Sequence, residues 1–162
     1  MLRTIRCVAN EHRFESDSVA RTVGVIGDRW TFLILREAFF GVRRFSELAR
    51  NLGLSRKILS ERLQKLVAYE ILERRPYQID PERHEYVLTR VGRDLYPAIV
   101  ALLRWGDEHL AGDEGPPLVL RHRICGKNAA PRLVCSHCGE EILAEDVQPE
   151  PGPGARIAAV ER

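Results

Sequence analysis

A chain of 162 residues, 44% of them hydrophobic, can bury the core of one ordinary domain and carry an appendage besides. The opening residues, MLRTIRCVANEHRFESDS, hold no apolar run of signal-peptide length, and no later stretch approaches the roughly 18–20 apolar residues of a membrane span, so a soluble, cytoplasmic protein without membrane contact is expected. The net charge of +2 conceals a division: residues 36–93 hold thirteen Lys/Arg against eight Asp/Glu, whereas residues 106–162 hold six against ten. A basic middle is compatible with a polyanionic partner but does not identify one. Four cysteines are too few for a disulfide scaffold, and in a reducing compartment clustered ones serve more often as metal ligands or redox groups.

Serine and aspartate caps in SDSVARTVGVIGDRW precede an apolar pattern at Val19, Val23 and Ile26 that stops at Gly27, which predicts a first helix. Asp28 caps a second, with Trp30, Leu33, Ile34 and Ala38 on one stripe, closed at Gly41. Ser46 is placed to cap a third, shorter helix carrying Leu48, Ala49 and Leu52 and ended by Gly53. Ser55 caps a fourth, RKILSERLQKLVAYE, whose Leu59, Leu63, Leu66 and Val67 fall at i, i+4, i+7 and i+8, the most regular stripe in the chain. Two β-like runs, residues 71–77 and 84–88, flank the turn-forming IDPER and predict a hairpin with a charged tip. Thr89 caps a last long helix running to Leu110, with Leu95, Ile99, Leu102 and Leu103 on a broad apolar surface. Pro97 within it predicts a kink or a late true start. After AGDEGPP the helical periodicity ends, and PEPGPGARIAAVER is a Pro/Gly-rich terminus expected to be disordered.

The third and fourth helices with the turn NLGLS have the spacing of a helix-turn-helix, and the hairpin that follows makes it winged. On a helical wheel Leu59, Leu63 and Leu66 share one side of the fourth helix, while Lys57, Ser60, Glu61 and Gln64 lie opposite. These are hydrogen-bonding side chains that can read base edges in a major groove, although Glu61 can equally sit at the rim and repel phosphate. Ser55, Arg56 and Lys65 border that face, and Arg74, Arg75 and Arg83 stand where a wing touches the DNA backbone. Solvation explains any one of these residues as well as DNA does; the order of helix, Gly turn, helix and wing favours DNA.

The stretches GDRWTFLIL, RRFSEL, LSRKILSERLQKL, EILERRPY (a variant of GILERRPY) and YVLTRVGRDL, spread over residues 17–110, resemble the HxlR family of bacterial winged helix-turn-helix transcription regulators. The resemblance implies a homodimer whose first and last helices pack against the partner and place two recognition helices on a near-palindromic operator of double-stranded DNA. Residues 95–110, with Trp105, form a surface wide enough for that interface, though it can equally cover its own domain. Some regulators of this kind sense oxidants through a cysteine just before the segment VAR; here that place reads Asp17-Ser18, and Cys7 lies well upstream, so thiol sensing is not carried over.

Near the end, His122-Arg-Ile-Cys125-Gly and Cys135-Ser-His-Cys138-Gly repeat one pattern, ligand-x-x-ligand-Gly. Such pairs suit a tight turn that converges two side chains on one ion, and His122, Cys125, Cys135 and Cys138 complete a Cys₃His set for structural zinc with no open position. A redox pair and inert thiols are the competing readings. No phosphate loop, HExxH or nucleophile elbow is present, so no enzyme and no organic cofactor are expected.

The fold expected is therefore mainly α with a small β-hairpin wing, a winged helix-turn-helix, plus a small zinc-ribbon-like β appendage. Its parts are an arm (residues 1–15), the DNA-binding and dimerisation domain (16–111), the appendage (117–147) and a tail (148–162). The function expected is a sequence-specific regulator, more a repressor than an activator. The alternative is a winged-helix and zinc-ribbon adaptor that binds proteins rather than specific DNA. An unknown small-molecule effector is compatible with Trp30, Phe39, Phe40 and Phe45, which at helical spacing are more often core.

Overall fold

The computed structural model describes residues 17–150 and 152–154. The arm with Cys7 and the end of the Pro/Gly-rich terminus lie outside the described residues. The chain folds in the order α1 (Ser18–Ile26), α2 (Arg29–Phe39), α3 (Phe45–Leu52), α4 (Arg56–Ala68), β1 (Leu72–Gln78), β2 (Arg83–Leu88), α5 (Arg90–Arg93) and α6 (Tyr96–His109). No helix among the described residues is long and apolar enough to cross a membrane.

Short polar side chains start these helices by accepting the otherwise unpaired first-turn N–H groups. The Asp17 carboxylate accepts from the N–H groups of Val19 at 2.7 Å and Ala20 at 3.0 Å. Asp28 does the same for Trp30 and Thr31, both at 3.1 Å, and Ser55 Oγ accepts from Ile58 N–H at 3.3 Å. The expected Ser46 cap does not form: α3 begins at Phe45, its N-cap is Arg44, and no side chain caps it. The reason lies in the wing. Tyr86 N–H donates to the Arg43 carbonyl at 2.8 Å and Arg44 bridges to Glu85, so the chain is held extended against β2 until Arg44 and turns helical at once afterwards. The hairpin thus gains a third, one-bridge edge. Pro97 stands in the first turn of α6, where its missing N–H has no partner to lose, so it marks the late start and not a kink. Thr89 caps the single turn of α5, accepting from Gly92 N–H at 3.0 Å.

The core is the stripe of α4 set against α2 and α3. Leu59, Leu63 and Leu66 are enclosed together with Ile34, Leu35 and Leu48, and Ile71, Leu72 and Ile99 close the cluster. Trp30, Phe39 and Phe45 pack against it, which makes that aromatic set core; Phe40 is exposed. The outer helices bury little. Only Ile26 of α1 and only Ile99 and Val100 of α6 are buried, whereas Val19 (71% exposed), Val23 (55%), Leu102 (54%) and Trp105 (56%) face outward. Between residues 117 and 150 no side chain is buried. The appendage has no ladder strands, only the bridges Arg121↔Asn128 and Val134↔Glu141 and a 3₁₀ turn at Ala144–Asp146.

Two helices end in the same six-residue closure, in which a left-handed residue lets two N–H groups reach back to the last turn. At the end of α3 the left-handed residue is Gly53 (φ 62°), with Leu54 N–H on the Ala49 carbonyl at 3.1 Å. At the end of α4 it is Glu70 (φ 54°), with Ile71 N–H on the Leu66 carbonyl at 2.9 Å. In the GILERRPY form of this stretch a glycine holds that place. Glu70 is exposed and its side chain makes no hydrogen bond among the described residues, so it carries the left-handed strain without return. Glu70→Gly is expected to raise stability by about 0.5–1 kcal/mol, read as a higher urea midpoint at unchanged slope.

Candidate nucleic-acid interface

The rotation of α4 about its axis is set by the burial of Leu59, Leu63 and Leu66, and this exposes Lys57, Glu61 and Gln64 and half-exposes Ser60 on the far side. Ser55 is occupied as the N-cap. The cations along α4 divide by position. In its first turn Arg56 is exposed and lies over the Phe45 ring at 5.5 Å. Towards its end the cations turn inward. Lys65 Nζ donates to the Gly24 carbonyl of α1 at 2.9 Å, and Arg62 Nε lies 3.2 Å from Asp28, an ion pair by distance in which that N–H lacks hydrogen-bond geometry. Lys65, expected at the DNA face, is therefore not brought there. It fastens α4 to α1. The exposed cations of α4 are thus those of its first turn, Arg56 and Lys57.

The wing meets α4 at its first turn. A groove of about 730 Å³ runs between the start of α3, the start of α4 and the hairpin, and four arginines line it: Arg44, Arg56, Arg74 and Arg83. Arg44 was not singled out from sequence; its guanidinium rests on the Tyr77 ring at 4.9 Å, in the groove because Arg43 and Arg44 pair with β2. The only sequence signal for it was the doubled arginine of RRFSEL, just ahead of the helix. Arg74 donates to His84 Nδ1 at 2.9 Å, which fixes the proton on Nε2, 3.1 Å from Glu82. Arg75 is paired with Glu73 on its own strand and does not line the groove.

Glu37, also missed, is the buried carboxylate of α2. One oxygen accepts from Arg36 and the other from Asn51 at the end of α3, both at 2.8 Å, so the first helix of the motif is tied to the domain by a satisfied polar link. Asp28 joins α2 to α4 in a like way. Burial pushes its carboxyl up, but hydrogen bonds from Thr31 and Trp30 and the Arg62 charge outweigh this and hold it below the usual carboxylate value.

The four proposed metal ligands stand in two pairs. His122 Nδ1 is 3.4 Å from Cys125 Sγ, and Cys135 and Cys138 hold the matching places of the second turn, closed by Gly139 N–H on the Cys135 carbonyl at 2.9 Å. Among the described residues no group of three or more His, Cys, Asp or Glu side chains is gathered at metal-site spacing.

The helix-turn-helix, its hairpin wing and the groove lined by four arginines are those of a winged helix-turn-helix protein, and the family and relatives it matches are transcription regulators. The chain belongs to the HxlR-like helix-turn-helix family, whose model matches residues 25–114. It is 63% identical, over 91% of its own length and 95% of the relative's, to an uncharacterized HTH-type transcriptional regulator of Mycobacterium tuberculosis. Similarity to the uncharacterized HTH-type regulator YtcD of Bacillus subtilis is 35% over 57% of this chain and 75% of that one. The crystal structure of PA1607 superposes with a TM-score of 0.76 at 36% identity, covering 87% of this chain and 99% of that one, a share that reaches past the winged domain. The redox regulator HypR in its reduced form matches at a TM-score of 0.54 and 31% identity over 57% of this chain and 92% of its own.

Because the folded pKa of Asp28 is lowered, the stability it lends is full above the ordinary carboxylate range and is lost as pH falls through the lowered value. Asp28→Ala is expected to remove about 1 kcal/mol at pH 7 through loss of the cap and to flatten the stability profile below about pH 4. Urea titrations across that range measure both.

Proposed function

We propose that this chain is a cytoplasmic, sequence-specific DNA-binding repressor that acts as a homodimer on a near-palindromic operator. One observation carries the reading: Lys57, Glu61 and Gln64 of α4 are exposed, and the first turn of that helix, at Arg56, borders the arginine-lined groove beside the wing. Lys57, Ser60, Glu61 and Gln64 take the major-groove base edges, and Arg44, Arg56, Arg74 and Arg83 the phosphates on either side. Lys65 and Arg62 hold the helix in place from behind.

The dimer reading is supported by the outer helices. A nine-residue helix with a single buried side chain does not hold itself together in water, and α1 is one. Val19 and Val23 of α1 and Leu102 and Trp105 of α6 give the apolar surface a second copy would cover. Two-fold pairing sets the recognition helices on half-sites about 34–36 Å apart, and a clamp of that span acts by occupying promoter DNA. With Trp30, Phe39 and Phe45 in the core, an inducing small molecule would have to act at another site, such as the largely apolar groove of about 480 Å³ among Val25, Tyr69, Val91 and Leu95.

Footprinting and binding titrations on the DNA upstream of the chain's own gene test this reading. Lys57→Ala with Gln64→Ala is expected to abolish discrimination between operator and random DNA with unfolding unchanged; a normal operator footprint from that double variant means α4 is not the reader. Arg44→Ala or Arg83→Ala is expected to weaken all DNA alike and to reduce the slope of log K against log salt by about one. Val23→Glu with Trp105→Glu is expected to give monomers in sedimentation and to lower operator affinity by about two orders of magnitude, as loss of two-site binding requires.

A further inference from the structure

The appendage buries no side chain, yet its backbone is built twice to one plan. In the first unit His122 N–H donates to the Lys127 carbonyl at 2.8 Å, Gly126 N–H to the His122 carbonyl at 2.8 Å, and Ala129 N–H to the Leu120 carbonyl at 2.6 Å. Thirteen residues on, Cys135 N–H donates to Glu140 at 2.8 Å, Gly139 N–H to Cys135 at 2.9 Å, and Ile142 N–H to Leu133 at 2.8 Å. The bridges Arg121↔Asn128 and Val134↔Glu141 keep the same offset. Each turn is closed by a left-handed glycine, Gly126 (φ 69°) and Gly139 (φ 79°), where a side chain would be strained. Both units are thus knuckles that bring together the side chains at their first and fourth positions.

Those side chains are His122 with Cys125, whose Nδ1 and Sγ stand 3.4 Å apart, and Cys135 with Cys138 in the matching places of the second unit. A disulfide would use Cys135 and Cys138 and leave the equivalent His122–Cys125 unit without a role. A tetrahedral ion uses both units and all four N/S donors. The pairs stand apart as two bidentate half-sites, so the ion has to draw them together. We propose that His122, Cys125, Cys135 and Cys138 bind one structural zinc ion, which closes the two knuckles on each other and supplies the folding free energy that this coreless segment lacks. Binding releases the three thiol protons to water as Cys125, Cys135 and Cys138 become thiolates. The clip also has an anchor. Arg104 of α6 donates to the Pro131 carbonyl between the knuckles at 3.2 Å and lies 3.9 Å from Glu141 of the second, so closing the clip fixes the segment against α6.

Full-length chain purified under reducing conditions and reconstituted with zinc is expected to hold one ion per chain by elemental analysis. Cobalt in its place is expected to give the strong visible bands of tetrahedral thiolate coordination. His122→Ala with Cys125→Ser, and Cys135→Ser with Cys138→Ser, are each expected to lose the ion while the winged domain unfolds as before. A chelator is expected to open Arg121, Arg123, Lys127 and Arg132 to trypsin, and added zinc to close them again. No stoichiometric zinc in the reconstituted wild type, or undiminished zinc in the His122→Ala/Cys125→Ser variant, overturns the four-ligand site. Trypsin resistance that is the same with and without metal overturns its folding role. None of these readouts involves DNA, so the clip and the repressor reading fail independently.

Discussion

The burial of Leu59, Leu63 and Leu66 against Ile34, Leu35 and Leu48 is the constraint on which the rest of the molecule depends. A helix that buries one stripe has its rotation fixed, because turning by one residue moves every side chain by about 100°. With the three leucines inside, Lys57, Glu61 and Gln64 are committed to the outside. Each leucine is worth roughly 2–5 kcal/mol against a cavity-forming truncation, several times the strain a polar contact could impose on the helix, so the leucines decide the phase and the reading face follows from it.

Hydrophobic burial sets the phase but not the position along the groove, which is the work of polar links. Asp28 to Arg62, Glu37 to Asn51 and Lys65 to the Gly24 carbonyl each join a different pair of neighbours around the helix-turn-helix. All three use side chains from the last turns of α3 or the second half of α4, or their partners in α1 and α2. They take up charge in the second half of α4, whereas Arg56 and Lys57 near its start and Arg44 and Arg83 beside the wing have no carboxylate partner among the described residues; Arg74 is held by His84, and Arg75 by Glu73.

Local chemistry made most of the fold readable in the residues themselves. Asp17, Asp28 and Ser55 cap the helices they precede, and the leucine stripe of α4 is the core stripe, whereas Thr89 caps only the single turn of α5 and the long helix starts afresh at Tyr96 without a side-chain cap. What stayed hidden depends on long-range pairing. Ser46 is a good cap by type, but β2 holds Arg43 and Arg44 extended and the helix starts a residue early. The same pairing puts Arg44 in the groove, which its place in the sequence does not suggest. Lys65 and Arg62 are correctly basic and on an accessible side of the wheel, yet α1 and Asp28 claim them. Of the candidate reading residues, Lys57, Ser60, Glu61 and Gln64 follow from periodicity alone, because a helix wheel is local; the arginine-lined groove follows only once hairpin and helix are set together.

The last helix shows how one element can serve three neighbours. Around α6, Ile99 and Val100 turn to the core, Leu102 and Trp105 occupy the opposite sector, and Arg104 points between them to the appendage. These sectors do not overlap, so α6 touches the domain with one, meets the appendage with another and leaves the apolar Leu102 and Trp105 exposed on the third. They are also rigidly linked, since a single helix of 14 residues has no internal hinge to absorb a shift on one side. An appendage with no core, fastened to that helix through Arg104, is then placed by the domain and not by its own packing.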